Sequence, residues 1–211
     1  SSPALTTPLQ PSKRWFEVCV AGHLREEKDS LRAAYAARLA PPESNLRVVH
    51  LGKAHEDSWA RNARAEMAEN PRFVWRGEVP GWKVRRQFAR SHAMVISSIM
   101  EGGANIVSEA IVCGVPVIAS NIDGNIGLLG ADYEGYYAAK DEAALVARAK
   151  KAADSNATNT GYADQLRLIT VSVNGVNRQD VLKEFSEKLP AIDGRYIRSA
   201  YAKLNPGPKM E

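Results

Sequence analysis

From residue 16 to residue 157, short apolar runs alternate with amphipathic stretches, and this alternation limits the fold more tightly than any other feature of the chain. Phe16-Glu17-Val18-Cys19-Val20-Ala21 has strand composition and ends at Gly22. Leu31 through Leu39 is an Ala-rich helix stopped by Pro41-Pro42. The same pattern predicts further strands at Leu46–Leu51, Phe73–Trp75, His92–Ile96, Pro116–Ala119 and Gly135–Ala138. It predicts helices over Asp57–Met67, Trp82–Ala89, Asn105–Cys113 and Glu142–Ala153. Strands separated by helices in this way predict an α/β fold built on a parallel, doubly wound sheet with right-handed crossovers.

Outside that span the pattern fades. Residues 1–15 carry Pro3, Pro8 and Pro11 among Ser and Thr, which predicts an extended linker. Beyond residue 157, Tyr162–Leu168, Gln179–Leu189 and Tyr196–Leu204 have helical character, so 158–211 is expected to be a helical C-terminal extension. The start, Ser1-Ser2-Pro3, offers neither an initiator Met nor a signal peptide, so the chain is expected to be a segment of something longer.

Composition narrows the function classes. With 211 residues, 45% hydrophobic and 25% charged, the chain has the usage of one globular domain plus an appendage, not of a disordered segment. No apolar run approaches the ~18–20 residues that a membrane span requires. The 28 Lys+Arg against 24 Asp+Glu leave a mild +4, with the two signs interleaved. The densest basic stretch, Lys83, Arg85, Arg86 and Arg90, is expected to be a solvated helix face, and no nucleic-acid partner is expected. Cys19 and Cys113 form neither a disulfide framework nor a metal spacing, and are expected to be reduced, buried hydrophobes of a cytoplasmic protein.

Ligands of open α/β sheets bind beyond the carboxyl ends of the strands, so the strand-to-helix loops are where chemistry is expected. After the fourth strand comes Ser97-Ser98-Ile99-Met100-Glu101-Gly102-Gly103-Ala104-Asn105, leading into a helix that carries Glu109. The glycines let backbone approach a ligand closely, and the helix start presents free N–H groups that suit an anion such as a pyrophosphate. Glu101 and Glu109 suit hydroxyls instead, because carboxylates accept strong hydrogen bonds from sugar O–H groups. An anion cradle flanked by two hydroxyl acceptors describes a nucleoside diphosphate sugar; a solvated loop acid and a helix-surface charge are the bland alternative. The loop after the first strand, Gly22-His23-Leu24-Arg25-Glu26-Glu27-Lys28-Asp29, places Arg25 and Lys28 to neutralise a departing diphosphate. No Asp-x-Asp pair occurs in the chain, so no metal is expected to share that task.

At these residues the chain resembles the C-terminal, donor-binding domain of a GT-B glycosyltransferase of the retaining family 4 type. Glu101 and Glu109, separated by Gly-Gly-Ala-Asn-Ile-Val-Ser, match that family's glutamate pair, and Ala110 through Ser120 matches its helix–Gly–x–Pro–strand continuation. Gly22-His23-Leu24-Arg25-Glu26-Glu27-Lys28 resembles its Gly-Arg-Leu-x-x-x-Lys element, with His23 where an arginine usually stands. With Trp75-Arg76-Gly77-Glu78-Val79-Pro80 and Gly124-Asn125-Ile126-Gly127-Leu128-Leu129-Gly130, these segments are most similar to the selenosugar synthases of selenoneine biosynthesis.

The resemblance implies a Rossmann-like domain over 16–157 that binds UDP-N-acetylglucosamine or UDP-glucose as co-substrate and needs no metal or other cofactor. It makes Glu101 and Lys28 the catalytic candidates: Glu101 would meet donor-sugar hydroxyls and Lys28 the phosphates, with Arg25 or His23 beside it. Glu109 would take the ribose hydroxyls, while Gly22, Gly102, Gly103, Ala104, Asn105 and Ile106 would approach through backbone. Gly77-Glu78-Val79 would approach uracil through its backbone or be a plain strand-ending turn, and Gly124-Asn125 would line the sugar pocket or be a turn only. The implied reaction passes the sugar to selenophosphate, and the acceptor would be bound mainly by an N-terminal domain that this chain lacks. A non-catalytic nucleotide-binding or protein-docking module of the same fold is the alternative reading.

Overall fold

Successive residues of a strand face opposite sides of its sheet, so a strand covered on both faces must be apolar nearly throughout. Phe16–Ala21 meets that condition and is buried along its whole length. The computed structural model describes residues 12–101, 105–113 and 115–157. It contains strands β1 (Phe16–Ala21), β2 (Leu46–Leu51), β3 (Phe73–Trp75), β4 (Ala93–Ile96), β5 (Val117–Ser120) and β6 (Tyr136–Tyr137). Its helices are α1 (Arg32–Arg38), α2 (Asp57–Glu69), α3 (Gly81–Phe88), α4 (Asn105–Val112), α5 (Asp123–Leu129) and α6 (Glu142–Ala157).

The six strands form one all-parallel sheet in the order β3-β2-β1-β4-β5-β6, the doubly wound α/β arrangement that the alternation predicts. Phe16, Val18, Val20, Val48 and Val95 point to one face and pack with Ala33, Ala34 and Ala37 of α1 and Leu145 and Ala149 of α6. Cys19, Ala21, Val49, Met94 and Val117 point to the other and pack with Phe88 of α3 and Val107 and Ala110 of α4. The alanines explain why α1 sits close to the sheet: small side chains let helix backbone and sheet approach. The chain runs outward from β1 to β3 and returns to lay β4 beside β1, with Val18 opposite Ala93 and Cys19 opposite Met94. That reversal, with the loops leaving β1 and β4 beside it, is where ligands of such sheets bind.

Several local expectations change. The strand expected from His92 starts at Ala93; His92 instead caps β1, its N–H donating to the Glu17 carbonyl at 2.7 Å while its Nδ1 accepts the Glu17 N–H at 3.1 Å. Helix α5 was not anticipated, because Gly124 and Gly127 argue against a helix on propensity. Gly124 is there for space: a Cβ on it would lie 1.9 Å from the Glu101 carbonyl oxygen. A single 3-10 turn at Glu26–Lys28 shapes the loop after β1. Neither cysteine forms a disulfide, but Cys113 is half-buried, not buried; burial still pushes its thiol up to about 11, and burial raises Cys19 further. Lys83, Arg85 and Arg86 lie exposed on α3, whose Gln87 and Phe88 face inward, and Arg90 is exposed just beyond it. Of the expected linker, Ser12 joins the domain by donating its N–H to the Arg90 carbonyl at 3.2 Å. Residues 1–11 and the C-terminal extension from 158, with its three expected helices, lie outside the described residues.

Candidate functional site

A cleft of about 600 Å³ opens at the reversal between β1 and β4, a size suited to a nucleotide-sized ligand. Its first wall is the loop after β1. There the Gly22 carbonyl accepts a hydrogen bond from His50 Nε2 at 2.9 Å, and Gly22 packs against Gly52. Gly52 has φ +144, and a Cβ there would lie 1.9 Å from the Gly22 oxygen, so only glycine fits. Buried Ser30 closes the loop: its Oγ accepts the Arg25 N–H at 3.0 Å and lies 3.1–3.2 Å from the carbonyls of Arg25 and His23. Arg32 then holds Asp29 with two hydrogen bonds, at 2.7 and 3.2 Å, and pairs with Glu142 of α6.

The second wall is the loop after β4, stitched to the first. Ile99 N–H donates to the Glu27 carbonyl at 2.9 Å, and Ser97 Oγ sits 3.0 Å from the carbonyls of both Lys28 and Asp29. This stitching brings Lys28 and Glu101 together: Lys28 Nζ forms an ion pair with Glu101 Oε2. Ser98 Oγ donates to the same Oε2 at 3.2 Å. The Glu101 side chain is only 8% exposed and the Lys28 side chain 23%, so the pair is held where water screens it weakly. With both donors on Oε2, Oε1 is the carboxylate oxygen left to accept a ligand hydroxyl.

Residues 8–166 match the sequence profile of the family Glycosyl transferases group 1. The chain belongs to that family. Its fold is similar to that of Anabaena Alr3699/HepE solved in complex with UDP-glucose, with a TM-score of 0.63 and 16% identity over 84% of this chain and 49% of that one. It is also similar to the apo lipopolysaccharide outer core galactosyltransferase WaaB (TM-score 0.61, 18% identity, 89% of this chain and 53% of that one). The catalytic domain of the cholesterol-alpha-glucosyltransferase from Helicobacter pylori matches at TM-score 0.56 and 14% identity, over 82% of this chain and 99% of that one. The chain thus spans about half the length of the first two structures. No curated protein matches it significantly. The domain is an α/β, Rossmann-like fold of the kind found in these GT-B glycosyltransferases.

In this group 1 domain the expected residues are distributed unevenly. Gly22, His23, Arg25 and Lys28 line the cleft from the first loop, and Glu101, Asn105 and Ile106 from the second loop and the start of α4. Arg25 Nε lies 3.0 Å from Glu27 Oε1, so this cation is partly engaged by its own loop. Val79 lines the far end beside Glu78, and the turn before them is more than punctuation: Gly77 has φ +66 and its carbonyl accepts the Gly52 N–H at 2.8 Å. Gly102, Gly103 and Ala104 lie outside the described residues. Glu109 stands one turn into α4 but on its exposed side, and is not part of the cleft wall. Asn125 does not line the cleft either; it is fully buried and donates to the Ser120 carbonyl at 2.8 Å.

Among the cleft residues without a part in the sequence reading, four carry polar side chains: Ser30, His50, Ser97 and Ser98. Burial pushes the His50 imidazole down to about 4, so it is neutral at pH 7 and acts as a fixed donor to Gly22. The trace of His50 in the sequence is polarity inside a strand run, and that of Ser97 and Ser98 is polarity where one has just ended; Ser30, well past β1, leaves no such mark. Among the described residues no group of three His, Cys, Asp or Glu side chains is placed to hold a metal ion. No described helix is long and apolar enough to cross a membrane.

Proposed function

We propose that this chain is the donor-binding half of a retaining, metal-independent glycosyltransferase of family 4 type. It would take the sugar of UDP-glucose or UDP-N-acetylglucosamine and pass it to selenophosphate, giving a selenosugar. The observation that carries the donor reading is the meeting of Lys28 and Glu101 in one cleft at the sheet's reversal, with one glutamate oxygen left open. A UDP-sugar offers partners for both: phosphate oxygens for the ammonium and a sugar hydroxyl for the carboxylate. The UDP-glucose found with a protein of this fold supports that choice of ligand. The selenophosphate acceptor rests on the similarity of the Gly22, Trp75, Ser97 and Gly124 segments to selenosugar synthases.

In this reading the diphosphate draws Lys28 from Glu101, with Arg25 or His23 alongside. Glu101 Oε1 accepts a donor-sugar hydroxyl, and backbone N–H groups of residues 102–106 meet the sugar and diphosphate. Glu109 meets ribose hydroxyls extending over the first turn of α4, and the backbone around Val79 meets uracil. The sugar C1–oxygen bond breaks with its electron pair leaving on UDP, and the acceptor's selenium bonds to C1 on the same face. Glu101 is a positioning acid here, not a nucleophile. Calorimetric titration with UDP-glucose and UDP-N-acetylglucosamine tests the site: Lys28→Ala and Glu109→Ala should each weaken binding at least tenfold. Tight binding unchanged by both substitutions would move the donor elsewhere. Mixing the chain with a separately produced N-terminal domain, UDP-sugar and selenophosphate should release UDP; release with other acceptors but not with selenophosphate would overturn the acceptor.

A further inference from the structure

Lys28 and Glu101 sit on separate loops 73 residues apart in sequence, yet they meet atom to atom. We infer that the tandem serines Ser97-Ser98 set that meeting, Ser97 by anchoring the cation's loop and Ser98 by orienting the carboxylate. The inference rests on the donor-site reading above and adds two positioning residues to it.

Neighbouring residues at a strand end send their side chains to opposite sides, so adjacent serines can serve two partners at once. Ser97 turns toward the first loop, where its one hydroxyl proton is shared between the Lys28 and Asp29 carbonyls, each 3.0 Å away. Those carbonyls bracket the residue where the chain bends: Asp29 has φ +45, a left-handed conformation that neighbouring structure must hold. Ser98 turns toward Glu101 and donates to Oε2 at 3.2 Å. Its own backbone is fixed in turn, because Ser120 Oγ donates to the Ser98 carbonyl at 2.6 Å and Asn125 Nδ2 donates to Ser120 Oγ at 3.0 Å. All four side chains are at most 3% exposed, so these hydroxyls have no water to turn to.

The two serines therefore have separable consequences. Without the Ser98 hydroxyl the carboxylate rotates freely and Lys28 engages either oxygen, so Oε1 no longer stands ready for a sugar hydroxyl. Without the Ser97 hydroxyl the first loop loses its tie and Lys28 meets phosphate less well, whatever the phosphate carries.

Calorimetry on the full chain with UDP and with UDP-glucose separates these effects. Ser98→Ala should weaken UDP-glucose about three- to tenfold and leave UDP unchanged, whereas Ser97→Ala should weaken both by the same factor of about three to ten. In a Glu101→Gln background Ser98→Ala should have no further effect, which a merely structural serine would not obey. Ser97→Thr and Ser98→Thr keep the hydroxyl and should behave as wild type; if an Ala variant fails to fold, their ratio of UDP-glucose to UDP affinity decides. Equal effects of the two Ala variants, a Ser98→Ala effect that survives Glu101→Gln, or Thr variants that lose the wild-type ratio would overturn the inference. Failure of the unaltered chain to bind UDP would instead overturn the donor-site reading and the inference with it.

Discussion

Arg38 and Glu66 pair across α1 and α2, just as Lys28 and Glu101 pair across the loops after β1 and β4, but the two carboxylates are satisfied to different degrees. Glu66 is almost fully buried; its Oε1 accepts from Arg38 Nε at 3.0 Å and from Asn70 Nδ2 at 2.8 Å, and its Oε2 accepts from Arg38 Nη2. Asn70 continues to the Ala34 carbonyl at 2.9 Å, so the cluster closes on backbone. Glu101 has both of its donors on one oxygen, and it lines a cleft together with Arg25 and His23. A closed network uses its capacity to hold helices together, whereas an open one keeps an acceptor and a flexible ammonium for a partner not yet present.

The largest effect expected from sharpening this contrast comes from His50, the buried neutral group behind the first loop. Its folded value, about 4, lies below the ordinary 6.5, so the unfolded chain takes up the proton first as pH falls. Stability contributed by the neutral imidazole is therefore complete above pH 6.5 and is lost progressively between pH 6.5 and 4, by about 3 kcal/mol in all. Chemical unfolding across that range should show wild type losing stability faster than His50→Gln, whose amide still reaches Gly22 without titrating. Parallel curves would contradict the burial argument.

Next in size, Glu66→Ala should cost about 2–3 kcal/mol of stability, because it removes charge-assisted bonds and leaves Asn70 short of an acceptor. Its UDP affinity should stay within about twofold of wild type, since Glu66 and the cleft share no residue. Glu101→Gln should behave the other way round, losing less stability than Glu66→Ala because the amide oxygen still accepts from Ser98, while altering ligand preference. A Glu101→Gln chain as damaged in thermal unfolding as Glu66→Ala would erase the distinction between the two pairs.

The same contrast explains what could be seen in the sequence. Strands and sheet class were legible because burial on both faces demands continuous apolar runs, as at Phe16–Ala21, and the helices on the sheet announce themselves through alanines such as Ala33, Ala34 and Ala37. Lys28 and Glu101 were legible as candidates because both lie in strand-to-helix loops, where ligands of open α/β sheets bind, and in segments that resemble glycosyltransferase motifs. Helix α5 was not, since Gly124 answers to the Glu101 backbone rather than to helix propensity. Ser97 was not, because its partners are carbonyls 68 and 69 residues away, and a carbonyl leaves no mark in a sequence. Glu109 was legible from spacing alone, and α4 puts it on an exposed face one turn beyond the cleft-lining Asn105 and Ile106.

The central claim is that Lys28 and Glu101 form one donor site whose two charges neutralise each other until a diphosphate and a sugar divide them. The dissociation constants of UDP and of UDP-glucose for Glu101→Gln test it most directly. UDP should bind at least as tightly as to wild type, because Lys28 has lost its competitor, and any advantage of UDP-glucose over UDP should disappear. Loss of UDP affinity with the UDP-glucose advantage intact would contradict it.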